Sequence, residues 1–248
     1  MSRVLITNDD GIEAPGLCAL AESAVRAGLE VTIAAPAAQS SGSSASIMAT
    51  ETDGRIEVER RTLAALPDVT AFAVHGGPGL IALIAARGAF GEPADVVLSG
   101  VNHGANVGRA ILHSGTVAAA LTGALNGARA MAVSLDVGMD PEQFRWAAAA
   151  DAAVNLLPEL MAREAGTTIN VNVPNIDQPR GIRESPLAPF GIVQMALAEK
   201  DDRYVRLAVE ELPLVATDNS DAASLAAGWI TVTGIDSVTE RRLDLALS

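Results

Sequence analysis

Four short polar segments hold the residues that could do chemistry. Asp9-Asp10-Gly11 follows the run Arg3–Thr7, and Gln39-Ser40-Ser41-Gly42-Ser43-Ser44 follows Glu30–Ala35. Ser99–Gly108 continues Val96-Val97-Leu98 with three glycines and two asparagines, Asn102 and Asn106, and Ser114-Gly115-Thr116 precedes an Ala/Leu-rich stretch. Two adjacent carboxylates repel each other unless a cation or a proton lies between them. Serine hydroxyls and asparagine amide oxygens are neutral donors suited to a hard divalent ion such as Mg²⁺ or Mn²⁺. A helix start offers free N–H groups and a positive dipole end, an anion site that needs no basic residue. These are the parts of a site for a hard cation and a phosphate. Plainer readings stand beside it: Asp-Asp-Gly as a turn, 39–44 as a surface loop, Ser114 as an ordinary N-cap.

For these segments to meet, each must sit at the carboxyl end of a strand in one open sheet, where ligands bind in α/β folds. The spacing predicts a strand Arg3–Thr7, a helix from Ala14-Pro15-Gly16 to about Ala27 stopped by Gly28, and a strand Glu30–Ala35. This is a βαβ unit with Pro near the helix start and Gly past its end. Further strands are expected at Val69–Val74, Asp95–Ser99, Ala130–Leu135 and Thr168–Val173, with a hairpin of Ile47–Thr50 and Arg55–Arg60 about Asp53-Gly54. Helices are expected at Gly79–Arg87, from Ser114 or Gly115 to about Asn126, and from an Asp140 cap with Pro141 to about Ala165. Beyond residue 175 the pattern changes to short strands, Gly181–Glu184, Gly191–Ala198, Tyr204–Val209 and Trp229–Val232. The expected fold class is therefore α/β: a Rossmann-like, doubly wound, mostly parallel catalytic core over 1–175, then a β-rich extension over 176–248 that returns a strand to the sheet.

Composition narrows the function classes. Apolar residues make up 49% and aromatics 3%, so the core is built from Ala, Val, Leu and Ile, as where helices pack closely on a parallel sheet. Net charge is −13, and basic residues cluster no further than Arg60-Arg61 and Arg241-Arg242, which argues against a nucleic-acid polymer or an anionic membrane as partner. Cys18 is the single cysteine, which excludes an internal disulfide, and its helical neighbours Ala14, Ala21 and Val25 predict an apolar role. The amino terminus opens into a strand with no basic region and apolar segment before it, so a cytoplasmic location is expected. His75, His103 and His113 lack zinc-ligand spacing, and His103 and His113 flank the proposed site.

Taken in order, these motifs resemble SurE, the survival-protein-E family. They are Thr-Asn-Asp-Asp-Gly-Ile-x-Ala-Pro-Gly from Thr7, Ala35-Pro36 with Gln39–Ser44, Ser-Gly-x-Asn-x-Gly-x-Asn-x-Gly from Ser99, Ser114–Ala120, Ala132-Val133-Ser134 and Asn170–Pro174. The resemblance is dense to about residue 175 and thinner beyond, where Gly181-Ile182-Arg183, Thr217-Asp218 and Gly228–Val232 fit. It implies a metal-dependent phosphatase acting on nucleoside 5′- and 3′-monophosphates, and in some members on polyphosphate. By motif, one divalent cation per subunit (Mg²⁺ or Mn²⁺) would be held by Asp9, Asp10, Ser41 and Asn102. Asn106 and the Ser114-Gly115-Thr116 helix start would face the phosphate, with Asp9, Asn106 and Ser114 carrying the catalysis. Family members are oligomers that exchange C-terminal segments, so a homodimer or homotetramer is expected. The chain departs from the pattern in two places: His75-Gly76-Gly77-Pro78-Gly79-Leu80 replaces a Gly-Thr-Pro-Ala-Asp-Cys type segment, and the extension is shorter.

Other readings have less to stand on. A dinucleotide-binding oxidoreductase would need a GxGxxG after the first strand, and a zinc deacetylase would need histidine ligands. A metal- or nucleotide-binding module that has lost catalysis at the altered His75–Leu80 segment is the non-enzymatic alternative.

Overall fold

The computed structural model describes residues 1–40, 42, 44–49, 51–138, 141–189, 193–200, 204–211, 219–240 and 242. The chain begins with β1 (Arg3–Thr7), α1 (Pro15–Arg26) and β2 (Glu30–Pro36), close to the expected bounds. A two-residue hairpin, β3 (Glu51–Thr52) and β4 (Arg55–Ile56), turns at Asp53-Gly54. Then come β5 (Val58–Leu63), β6 (Leu66–Val74), α2 (Pro78–Ala85) and β7 (Val96–His103). A 3₁₀ segment, Gly108–His113, leads into α3 (Gly115–Leu125) and β8 (Arg129–Asp136). The remainder is α4 (Trp146–Asn155), α5 (Leu157–Met161), β9 (Thr168–Pro174), β10 (Ile182–Glu184), β11 (Val193–Lys200), β12 (Val205–Glu211), α6 (Asp221–Ala226) and β13 (Ile230–Ile235).

Nine strands form one sheet in the order β10-β13-β9-β8-β7-β1-β2-β6-β5. The six from β9 to β6 are parallel; β5 and β13 join them antiparallel, and β10 lies parallel to β13. Strand order reverses at β1, because β2 and β6 are added on one side and β7, β8 and β9 on the other. The crevice between the carboxyl ends of β1 and β7 is thus the topological switch point, the standard ligand position in an open α/β sheet. The strands returned after residue 175 are two, β13 and β10. Among the described residues, β11 and β12 pair only with each other.

Burial explains why the central strands are continuous apolar runs: each is covered on both faces. Leu17, Leu20, Ala149 and Ala153 of α1 and α4 pack with Ile6, Leu98 and Val133 on one face. Ile81, Val117, Ala120 and Ala124 of α2 and α3 pack with Leu5, Val97 and Ala132 on the other. Side chains this small let a helix lie close on the sheet, which is how the core dispenses with aromatics. Cys18 packs against the first cluster, and burial pushes its thiol up from the ordinary value.

The long helix expected from Asp140 to Ala165 is instead two short ones, α4 and α5. Asn175, just past β9, receives the Arg145 N–H (3.0 Å) and donates to the Gln143 carbonyl (2.8 Å), which fastens 143–145 as a loop and delays the helix to Trp146. Pro158 has no N–H to continue the ladder from α4, so the chain breaks near Leu156. Asp140, the expected cap, lies outside the described residues. Reading of the sequence also missed α6, whose six residues are capped by Ser220.

Candidate active site

At the carboxyl ends of β1 and β7 a cleft of about 350 Å³ is lined by Asp9, Asp10, Asn102, Asn106, His113 and Ser114, among others. Adjacent residues on a strand point to opposite faces, so both aspartates reach one cleft only because β1 stops at Thr7. Asn8 ties the turn that follows: its Oδ1 accepts the Gly11 N–H (3.1 Å) and its Nδ2 donates to the Gly11 carbonyl (3.0 Å). Gly11 has φ +106°, a region that side-chain-bearing residues rarely enter. The Ser40 N–H donates to the Asp9 carbonyl (2.7 Å), which brings the loop after β2 to the same edge.

Asp9 is buried at 6% exposure, and its carboxylate accepts the Thr116 hydroxyl from the first turn of α3. Burial holds the Asp9 carboxyl above the ordinary range; the neighbouring charge of Asp10 adds to this, and the Thr116 hydroxyl opposes it. Only glycine fits at 115, since a Cβ there would lie 2.8 Å from Asp9 Oδ2 and 2.9 Å from its Cβ. Asp10 accepts the His103 N–H (3.2 Å), so the end of β7 clasps the end of β1. Asn102 donates Nδ2 to the Gly104 carbonyl (2.8 Å), which turns its Oδ1 toward Thr116 (3.2 Å). A hydroxyl has one proton, and with that proton given to Asp9 the Asn102 oxygen keeps its acceptor capacity.

Asn106 is held on three sides. Its N–H donates to Asn172 Oδ1 (2.8 Å), its carbonyl accepts Asn170 Nδ2 (2.7 Å) and Asn172 Nδ2 (2.8 Å), and its own Nδ2 donates to Ser134 Oγ (2.9 Å). Ser114 caps α3 by accepting the Val117 N–H (3.2 Å), so its capping role and its place in the cleft wall coexist. The 3₁₀ segment before it is anchored from the far end of the chain. Asp221, fully buried, accepts the Gly108 N–H at Oδ2 and the Ala188 and Ala222 N–H groups at Oδ1, each at 2.8 Å.

Of the residues singled out from sequence, Asp9, Asp10, Asn102, Asn106 and Ser114 share the cleft. Ser41 lies outside the described residues, as do Thr217 and Asp218. Gly115 and Thr116 are buried, and Thr116 is turned to Asp9, a partner that the sequence did not suggest. Asn170, Asn172, Ser134 and Asp221 were missed as supports; the one signal of the first three is a polar side chain inside an apolar strand, as in Asn170-Val171-Asn172-Val173, while Asp221 opens a helix and has no such signal. The altered segment does not line the cleft. His75 Nε2 lies 3.0 Å from Glu59 and 4.0 Å from Glu57, beside a neighbouring cavity of about 560 Å³ that Gly76 and Gly77 also line and that shares Gln39 with the cleft. The three groups have metal-ligand chemistry, yet Arg61 already pairs with Glu59 at 2.8 Å.

The sheet order and the cleft at its reversal define an open, doubly wound α/β protein with an oxygen-rich polar site. The family described as Survival protein SurE matches residues 4–194, and the chain belongs to that family. The chain is 32% identical to a protein named 5′-nucleotidase SurE from Picosynechococcus sp., over 95% of this chain and 91% of that one. It is 40% identical to a protein of the same name from Xanthomonas campestris pv. campestris (strain B100), over 92% and 95%. The crystal structure of the SurE protein from Aquifex aeolicus superposes with TM-score 0.77 at 26% identity, over 94% of this chain and 93% of that one.

Proposed function

We propose that this chain hydrolyses nucleoside 5′-monophosphates, releasing inorganic phosphate in a reaction that requires a divalent cation, Mg²⁺ or Mn²⁺. The observation that carries the reading is the convergence of Asp9, Asp10, Asn102, Asn106 and Ser114 on one cleft at the sheet's switch point. The names of the relatives supply the substrate class.

The donor set fits a hard cation. Two carboxylates and an amide oxygen are oxygen ligands of the type such ions take, and the repulsion between Asp9 and Asp10 is relieved by positive charge. Asp9, Asp10 and Asn102 would hold the ion, with Ser41 as the fourth ligand. When bound, it would neutralise phosphoryl charge and acidify water in the cleft. The chain's own groups do the rest. Asp9 orients the attacking water and accepts its proton as the water oxygen bonds to phosphorus; the P–O bond to the nucleoside breaks, and the departing nucleoside oxygen takes a proton from water in the cleft. Asn106 and Ser114, at the start of α3, meet the phosphoryl oxygens, so charge developing on those oxygens faces fixed donors; Gly115 and Thr116, expected from sequence to face the phosphate, lie buried against Asp9 instead. Thr116 holds the Asp9 carboxylate in place from beneath.

A binding module without catalysis gains nothing from the altered segment, because His75, Gly76 and Gly77 line another cavity and no cleft donor is lost there. The same reading carries activity on 3′-monophosphates and polyphosphate, a homodimeric or homotetrameric assembly through the extension over 176–248, and a cytoplasmic location. Among the described residues no helix is long and apolar enough to cross a membrane. The test is phosphate release from 5′-AMP, 3′-AMP and tripolyphosphate with Mn²⁺ present. Release from 5′-AMP is expected to be fastest; release from tripolyphosphate alone would overturn the nucleotidase reading.

A further inference from the structure

We infer that the ring of Phe144, backed by Trp146 and joined to the cleft by His103, is a stacking face for the substrate's nucleobase; this rests on the nucleotidase reading above. The chain has few aromatic residues, yet two of its rings, Phe144 and Trp146, sit against His103, which lines this cleft. Phe144 and Trp146 stack at 5.5 Å with 20° between their planes. His103, which lines the cleft and whose N–H holds Asp10, lies 5.2 Å from Phe144 and 6.0 Å from Trp146. His103 thus links the two rings to the cleft that holds the carboxylates.

Phe144 is 45% exposed, although an aromatic side chain gains by burial. The backbone keeps it there. Asn175 bonds to the residue on either side, Gln143 and Arg145, and the Arg145 guanidinium pairs with Asp177 at 2.6 Å. Trp146 is partly buried against the core and gives the Phe144 ring a fixed floor. A half-exposed aromatic held on a fastened loop beside a phosphate site is preorganised to take a flat ring, and its ordering cost has been met in folding. Stacking tolerates any base but favours the larger face, so purine monophosphates should bind more tightly than pyrimidine ones.

The experiment measures kcat/KM for 5′-AMP and ribose 5-phosphate, together with binding of adenosine 5′-methylenephosphonate, which is not hydrolysed. Phe144→Ala and Phe144→Leu are expected to lower the ratio of kcat/KM for 5′-AMP over ribose 5-phosphate about tenfold through KM, with Phe144→Tyr keeping it. They should weaken phosphonate binding by a similar factor. An unchanged ratio and unchanged phosphonate affinity would overturn the stacking face while leaving the nucleotidase standing. Equal losses on both substrates would also overturn it, as the mark of a purely structural role. A wild-type protein that hydrolyses neither substrate, yet binds the phosphonate in a Phe144-dependent way, would uphold the stacking face and sink the hydrolysis. Failure to bind the phosphonate at all would overturn both.

Discussion

Asp9 depends on two neighbours that leave it no freedom. Thr116 donates to its carboxylate, and Gly115 lets the first turn of α3 pass within contact of it. Gly115→Ala places a methyl carbon where Asp9 Oδ2 is 2.8 Å away, so the carboxylate must move while the sheet beneath stays as it is. Turnover is expected to fall by about 10²-fold, the cost of misplacing a group at the reacting centre, with a circular-dichroism spectrum like the wild type's. Wild-type activity in this variant would contradict the placement of Asp9 at the centre of the site. Much at this scale was legible in the chain: the adjacent aspartates, Asn102, Asn106 and Ser114 were picked out by type and position, and the fold brings them to one cleft. Thr116 was picked out too, but as a phosphate contact and not as the partner of Asp9, because a hydroxyl at a helix start reads as facing a ligand until the neighbouring strand end is placed.

The site is built from strand ends and supported by β9 and α6, elements that contribute nothing to the cleft wall. Asn172 accepts from and donates to the Asn106 backbone, so Asn172→Ala removes two hydrogen bonds from a loop that has to stay put. Activity is expected to drop about tenfold or more with the unfolding midpoint lowered, as buried partners left unpaired cost about 1–3 kcal/mol each. Unchanged kinetics would show that Asn106 needs no such hold. Asp221 does the same for the 3₁₀ segment, and burial holds its carboxyl above the ordinary range against the pull of four N–H donors, those of Gly108, Ala188, Ala222 and its own backbone. A carboxyl raised on folding binds its proton more tightly in the folded state. Its contribution to stability is therefore greatest at low pH and is lost as pH rises from the ordinary carboxylate range through the raised value. Asp221→Asn removes that titration, so the stability gap between wild type and variant in urea melts should narrow as pH rises across this window. A gap that widens would contradict the burial account. The strands were readable because buried parallel strands are continuous apolar runs. The break between α4 and α5, the late start of α4 and the anchoring by Asp221 were not, since each depends on side chains that meet backbone far away in sequence.

For the molecule as a whole, one topology gathers the pieces. Reversal of strand order at β1 puts the turn after Thr7 beside the loop after β7, and α3 aims its start at both. The extension closes the arrangement by adding β13 and β10 to the sheet and sending Asp221 back to Gly108. We propose that this arrangement makes a divalent-cation-dependent nucleotidase. The most direct measurement is phosphate release from 5′-AMP by wild type and Asp9→Asn, each with EDTA and with added Mn²⁺. Wild type is expected to release phosphate in a way that EDTA abolishes and Mn²⁺ restores, and Asp9→Asn to lose about 10³-fold with Mn²⁺ present. Release that persists in EDTA, or that survives in Asp9→Asn, would contradict it.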